Sequence, residues 1–287
     1  MTDIFDGANP TEELANRTPH TNKTDVLYVE TYGNCWWDCY HAYNAQFNYD
    51  EWYPYLQELL PPVHIITVKS TDIAVLREIC HIKLYREVDI YDKLDDLSGE
   101  LRKQLREFIE KYTELFVKTN KTSGKNYVPL TPKVTVADVI DLLTSQCFLT
   151  EYEPRSIERP FSIIVMPWNN SIKSDYEFRV IIHNYSVRGI AQQRWYSMCS
   201  QMYPNIVHIA QQIIKYYQEQ VRNRLPYPDV VLDLWVDPTD NFSVHLIECN
   251  PGGLYATSGS SLFSWIRDYN LLCTDDYTGN PAVALIG

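Results

Sequence analysis

Basic residues are scarce in this chain of 287 amino acids. It has 25 lysines and arginines against 37 aspartates and glutamates, a formal net charge of -12. General binding to nucleic acid or to an anionic membrane needs a basic surface, so this balance argues against both. An acidic protein can still hold a polyphosphate, but only through a few focused cations.

Long apolar runs are missing as well. No stretch approaches the ~20 apolar residues of a membrane span, and residues 1–23 carry no run of signal-peptide length. We therefore expect a cytoplasmic protein without a membrane partner, with residues 1–24 as a disordered tail. The seven scattered cysteines do not form a disulfide framework. Cys35 and Cys39, with His41 nearby, lack the second pair of ligands of a zinc finger.

Apolar residues are plentiful, at 45%, and 13% of the chain is aromatic, which predicts a folded globular protein. The length fits one large domain or two lobes. An aromatic block between Tyr28 and Tyr55 is typical of a core, although an exposed share of it would suit protein binding. Hairpins and helices alternate in a mixed order, which favours an α+β fold in two lobes over a doubly wound parallel sheet.

Two β-like apolar runs near the C-terminus, 230–236 and 244–251, are each interrupted by a carboxylate, Asp233 in the first and Glu248 in the second. An ionised carboxylate in an apolar run is costly to bury unless it is paired or binds a metal. Two such interruptions in neighbouring strands indicate a site for a hard cation.

The spacing of these residues sharpens the prediction. Alternate residues of a strand share a face, so Glu248 and Asn250 point the same way. The turn-forming cluster 237–241 predicts an antiparallel hairpin, and a loop at 239–242 would place Asp233 opposite Glu248. Three oxygen ligands would then suit Mg²⁺. The alternative is that Asp233 pairs with a core arginine and Glu248 with a backbone donor.

Candidate phosphate-binding cations precede this hairpin. Lys118 ends a short strand, and the polar loop 119–126 that follows contains Lys125, hydroxyls and a glycine. Free N–H groups and point charges suit a phosphate, but without a Walker A frame a solvated hairpin loop is an equal reading. Arg179, on the polar face of a strand, could make either an outward salt bridge or a phosphate contact.

Hydrophobic periodicity and capping signals predict the remaining elements. Thr135 is placed as an N-cap with Asp138 in capping-box position, and Pro167 ends a buried strand. The predicted helices cover residues 72–82, 97–112, 136–145, 205–221 and 260–268.

These motifs, in this order, resemble the cell division cycle protein 123 family, the D-one-two-three family of ATP-grasp proteins. The resemblance covers most of the chain between Gln46 and Trp265. Its matching segments are 46–47, 52–54, 117–122, 177–182, 189–194, 232–235 and 247–251. Met166 and Pro167 depart from the family pattern, which identifies the chain as a divergent member.

The resemblance implies a two-lobed ATP-grasp fold with mostly antiparallel sheets and the nucleotide between the lobes. Residues 25–165 would form an N-terminal lobe with the phosphate loop and a partner-binding surface, and residues 166–287 a C-terminal lobe with the Mg²⁺ site. Lys118 would lie near the α-phosphate. The other implied ligands are Lys125, Arg179 and Arg194 for the outer phosphates, Val165, Met166 and Trp168 for adenine, and Asp233, Glu248 and Asn250 for Mg²⁺.

The implied function is that of an ATP- and Mg²⁺-binding assembly chaperone. It would bind the gamma subunit of translation initiation factor 2, act as a monomer and make no direct contact with nucleic acid. The alternative is an ATP-grasp ligase that joins a carboxylate to an amine through an acyl phosphate. Whether ATP is hydrolysed stays open, and a nucleotide-free role would follow if Lys118 and Asp233 did not converge.

Overall fold

The computed structural model describes residues 43–85, 91–121, 131–145, 161–194, 198–253, 259 and 261–285. The predictions for the tail 1–24, for the cysteines at 35 and 39, and for Lys125 fall outside these residues. Among the helices described, none is long and apolar enough to cross a membrane.

Helices and strands alternate along the described chain. The described helices are α1 (Tyr49–Leu56), α2 (Ser70–Tyr85), α3 (Tyr91–Leu94), α4 (Gly99–Tyr112), α5 (Val136–Leu143), α6 (Ile206–Tyr216) and α7 (Tyr269–Leu272). A π-helical turn, Tyr217–Val221, follows α6. The strands are β1 (His64–Thr67), β2 (Leu115–Thr119), β3 (Ser162–Pro167), β4 (Glu177–His183), β5 (Ser186–Gln192), β6 (Val230–Asp237), β7 (Ser243–Pro251) and β8 (Ala282–Ala284).

The strands form two sheets. The first is three-stranded in the order β1-β3-β2, and the second is five-stranded in the order β7-β6-β4-β5-β8. Every pairing is antiparallel except that of β5 with β8. This confirms the predicted α+β class with mostly antiparallel sheets.

Each sheet has its own core. One face of the three-stranded sheet packs on α2, α4 and α5 through side chains such as Val117, Ile163 and Val165. One face of the five-stranded sheet packs on α6 through Phe178 and Leu232. Alternation along each strand leaves the opposite faces for other contacts.

Helix α1 packs with the core of the five-stranded sheet, although it precedes the three-stranded sheet in sequence. Tyr49, Trp52 and Leu56 are buried there, and Ile164 of β3 joins the same cluster. The described part of the aromatic block is therefore mainly core, and Tyr55 keeps 46% of its surface exposed.

Two helices, α4 and α5, begin at side-chain hydrogen-bonding caps. The predicted capping box of α5 is present, with Thr135 accepting from the Asp138 N–H and Asp138 accepting from the Thr135 N–H. Helix α4 begins at an N-cap, Ser98, whose hydroxyl oxygen accepts from the Leu101 N–H at 3.3 Å. The Ser98 backbone N–H and hydroxyl in turn donate to the buried Asp72. A capped end supplies partners for N–H groups that the helix leaves free.

The predicted C-terminal helix at 260–268 is wrong. Residues 261–268 form turns, and the helix of this region, α7, begins at Tyr269. The Asp268 carboxylate accepts from the Ser264 N–H at 2.7 Å, while Phe263 is buried against the five-stranded sheet. A side-chain acceptor that competes for backbone donors favours turns over helix.

Candidate functional site

The hairpin of β6 and β7 places Asp233 directly opposite Glu248, as predicted. The turn itself is longer than predicted, because Asp237 pairs with Ser243, whereas a loop at 239–242 would have paired Pro238 with Ser243. A β-bulge after Asp233 shifts the register by one residue and brings the two carboxylates together.

The bulge decides which way Glu248 points. If the register of the turn had continued unbroken, Glu248 would face Leu232, a residue of the buried core. A shift of one residue moves a strand's side chains to the other face of the sheet. With the bulge, Glu248 and Asn250 lie on the face that carries Asp233.

Asp233 is held by a bidentate ion pair with Arg179, its cross-strand neighbour on β4. Arg179 donates from Nε to Oδ1 and from Nη2 to Oδ2 of Asp233, both at 2.8 Å. Asn250 Nδ2 donates to the same Oδ2 at 3.2 Å, and Arg179 Nη1 donates to the Gly259 carbonyl at 2.6 Å. The side chains of Arg179 and Asp233 are only 12% and 4% exposed, so the pair is largely shielded from water.

The charges around Arg179 favour its cationic form. Burial has the largest single effect and works against the charge, but Asp233, Glu248 and Glu177 together raise the pKa of Arg179 above its ordinary value. This guanidinium therefore stays positively charged at any physiological pH.

Lys118 extends from the three-stranded sheet to the same region. Its Nζ contacts Glu248 Oε1, and the two side chains are 6% and 20% exposed. The ammonium also lies 4.9 Å from the centre of the Tyr49 ring. Since Lys118 belongs to β2 and Glu248 to β7, the contact joins the two sheets.

From the sequence, the two carboxylates could either bind a cation or be paired within the protein. The structure contains protein pairs for both. Asp233 pairs with an arginine, Arg179, whereas Glu248 pairs with the Lys118 ammonium. Lys118 contacts Glu248, which lies opposite Asp233, so Lys118 and Asp233 belong to the same site.

Cys249, between two candidate metal ligands, points to the opposite face. It is buried with Leu232 in the core of the five-stranded sheet. Burial, followed by Glu248 and Asp233, raises its pKa well above the ordinary value, so it remains a thiol. The side chains available to a cation here are therefore oxygen ligands.

These ligands are too few to surround a metal ion completely, and they suit Mg²⁺ that keeps water or phosphate oxygens among its ligands. Within the residues that the structure describes, no group of three or more His, Cys, Asp or Glu side chains could hold a metal ion. Two carboxylates with the Asn250 amide match Mg²⁺, which usually keeps waters and binds one or two carboxylates together with phosphate oxygens.

The residues predicted to contact adenine lie on different faces. Met166 pairs with Phe116 on β2, on the same face of the sheet as Lys118. Val165 is fully buried in the opposite core, so only its backbone could face a nucleotide. The Trp168 indole lies 6.4 Å from the Phe116 ring.

Arg194 pairs with Asp175, at 2.5 Å from Nη1 to Oδ1, just after β5. Both side chains are more than one third exposed. Its predicted place at the outer phosphates stays a prediction, as does that of Lys125, which lies outside the described residues.

Sequence reasoning missed three residues of this region. Tyr49 lies under Lys118, the Gly259 carbonyl accepts from Arg179, and the Tyr43 hydroxyl donates to the Gly252 carbonyl at 2.6 Å. Tyr49 lies between the segments 46–47 and 52–54 that carried the family resemblance, which was the available signal.

The chain is similar to known proteins over the region just described. The family model D123 matches residues 100–278. A CDC123-like protein of Acanthamoeba polyphaga mimivirus is 28% identical over 172 residues, which are 55% of this chain and 51% of that protein. The chain thus spans about half the length of the curated relative that it matches.

Two solved structures have the same fold. Cdc123 from Schizosaccharomyces pombe, in a C-terminally truncated form and in a second structure, superposes with TM-scores of 0.67 and 0.65. Each is 18% identical to this chain, and the match covers 86% of this chain and 97% of the other. At this identity the likeness establishes the fold.

Proposed function

Because the chain belongs to the D123 family, we propose that it binds ATP with Mg²⁺ between its two sheets and serves as an assembly factor for translation initiation factor 2. The observation that carries the proposal is the meeting of Lys118, from one sheet, with Glu248, Arg179 and Asp233 on the other. Cations and oxygen ligands from two sheets are the groups that an ATP-grasp site needs.

Each residue has a chemical task in this proposal. The Lys118 ammonium and the Arg179 guanidinium bind phosphate oxygens, and Arg179 can do so in a bidentate manner. Asp233, Glu248 and Asn250 hold Mg²⁺. When bound, the metal neutralises and orients the phosphates. In a protein with a net charge of -12, such focused cations are required to bind a polyanion.

The ligand-free site is neutralised by its own residues. Lys118 is paired with Glu248, and Arg179 with Asp233. ATP alone would take the cations and leave buried carboxylates beside its phosphates, whereas Mg²⁺ alone would meet a carboxylate that still holds an ammonium. Removing one partner of a buried pair is strongly unfavourable, so nucleotide and metal should bind cooperatively.

The partner follows from the family resemblance. We propose that the client is the gamma subunit of translation initiation factor 2. Pull-down of purified gamma subunit by this chain, with and without Mg·ATP, tests this part. Retention that depends on Mg·ATP supports it, and absence of retention in both conditions overturns it.

Nucleotide binding is tested separately by isothermal titration calorimetry with ATP, with Mg²⁺ and with EDTA. We expect Lys118→Met to weaken binding, and Glu58→Gln, which removes an exposed partner of Arg224, to leave it unchanged. Equal affinity of Lys118→Met and the unmodified chain would overturn the site. Release of ADP when a carboxylate and an amine are supplied would favour the ligase alternative over the assembly factor.

A further inference from the structure

Lys118 rests on the face of an aromatic ring from α1. The Tyr49 ring centre lies 4.9 Å from Lys118 Nζ, and Tyr49 is 1% exposed. The residue lies before the range 100–278 that the family model matches. A cation at this distance from a ring face is attracted by the ring's quadrupole, most strongly where water is excluded.

The start of α1 is attached to the end of β2, which fixes the ring relative to the ammonium. The Tyr49 N–H donates to the Asn120 carbonyl at 2.8 Å. Asn120 Nδ2 in turn donates to both Asp50 carboxylate oxygens at 3.2 Å. Two adjacent residues of α1 thus hold the strand two residues beyond Lys118.

The two partners of the ammonium differ in one respect. Glu248 belongs to the other sheet and is a candidate ligand for Mg²⁺, so a bound metal ion would compete for it. The Tyr49 ring is itself buried, at 1% exposure, and its contact with the ammonium does not involve a candidate metal ligand.

We propose that Tyr49 is a positioning residue that holds the Lys118 ammonium at the phosphate site through its ring face, before and after the nucleotide binds. This inference rests on the proposed function, because it assumes that Lys118 contacts phosphate. It extends the nucleotide site to α1.

The Tyr49 ring positions the Lys118 ammonium, and the Tyr49 hydroxyl is not needed for this. No hydrogen-bond partner for the Tyr49 hydroxyl occurs among the described residues. Burial, then Tyr53 and Glu248, raise the pKa of Tyr49, so the side chain stays a neutral phenol. Phenylalanine presents a similar ring face, and it should therefore replace tyrosine at this position.

The test replaces Tyr49 with phenylalanine and then with mono-, di- and trifluorinated phenylalanines, which withdraw electron density with little change of shape. Calorimetry with Mg·ATP should give an affinity for Tyr49→Phe within about twofold of the unmodified chain. The trifluorinated ring should lose at least about fivefold. The same fluorinated series at Phe178, a fully buried core ring, is the matched control and should leave affinity unchanged. Equal affinities for Mg·ATP across the fluorinated rings at position 49 would overturn the inference.

Repeating the series in Lys118→Met separates positioning from a general packing role. Without the ammonium, fluorination should no longer affect affinity, and a loss that persists would mean that the ring acts through packing, which overturns the inference. If Lys118→Met alone binds Mg·ATP normally, the proposed function fails at this residue. If Lys118→Met weakens binding while the position 49 series is flat, only the role of Tyr49 fails. Melting temperatures across the series establish that each variant is folded.

Discussion

Arg179 and Asp233 face each other across β4 and β6 and are joined by two N–H···O hydrogen bonds of 2.8 Å. The pair lies in the middle of the five-stranded sheet, on the face opposite its α6-packed core. Glu248 and Asn250 surround the same carboxylate from β7. The pair therefore joins a structural role in the sheet to the ligand-binding role proposed above.

Asp233→Asn should destabilise the fold by about 3–5 kcal/mol, because it leaves the Arg179 guanidinium largely buried without its anion. Urea denaturation followed by circular dichroism measures this. Asp175→Asn is the control, since it breaks a more exposed arginine pair, with Arg194, and should cost about 0–1 kcal/mol. Equal losses for the two variants would contradict the prediction.

Glu248→Gln should reduce the linkage between metal and nucleotide. We expect Mg²⁺ to raise the ATP affinity of the unmodified chain at least about tenfold. In the variant the enhancement should fall below about threefold, because Lys118 no longer exchanges partners and one candidate metal ligand has lost its charge. Calorimetry with Mg²⁺ and with EDTA gives both values. An enhancement in the variant that matches the unmodified chain would argue against Glu248 as a metal ligand.

Gly252→Ala should destabilise the end of β7. An added Cβ would lie 2.8 Å from the Val230 backbone nitrogen, which belongs to the paired strand and cannot move aside as a side chain can. We expect a loss of about 1–3 kcal/mol in denaturant unfolding. Gly99→Ala, where nothing lies within 4 Å of the added atom, is the control and should be neutral or stabilising. A neutral Gly252→Ala would show that the two strands can separate at this point.

Asp138→Asn should make the stability of the fold depend less on pH in acid. The Thr135 side chain, foremost, and the backbone N–H groups of Val134 and Thr135 lower the pKa of Asp138 below its ordinary value of 3.8. A depressed folded-state pKa contributes stability that is complete above that ordinary value and is lost as the pH falls through the folded value. Melting temperatures from pH 7 down to about pH 2 should fall less steeply for the variant. Identical slopes would mean that the capping box does not persist in solution.

Much of this fold could be predicted from local patterns, because the signals act over a few residues. Thr135 and Asp138 form the capping box that their spacing predicts, and alternation places Glu248 and Asn250 on one face. The hairpin turn was predicted one residue too short, since a bulge has no distinct signature in an apolar strand. Residues 261–268 form turns where a helix was expected, because the Asp268 carboxylate accepts from the Ser264 N–H. A helix would have used that backbone donor itself.

The sequence alone identifies the residues that could carry the chemistry: a carboxylate in each of two apolar strands, an amide beside one of them, and a lysine and an arginine at strand positions. Strand alternation acts between neighbours, and it needs no knowledge of the rest of the chain.

Which of these residues meet depends on the tertiary structure. Lys118 and Glu248 are 130 positions apart and touch because two separate sheets pack together. Tyr49 reaches Lys118 because the inner side chains of α1 are buried in the core of the five-stranded sheet. Such contacts are set by the packing of whole faces against one another, to which many distant residues contribute a little each. No short segment therefore contains the information that joins Tyr49, Lys118 and Glu248.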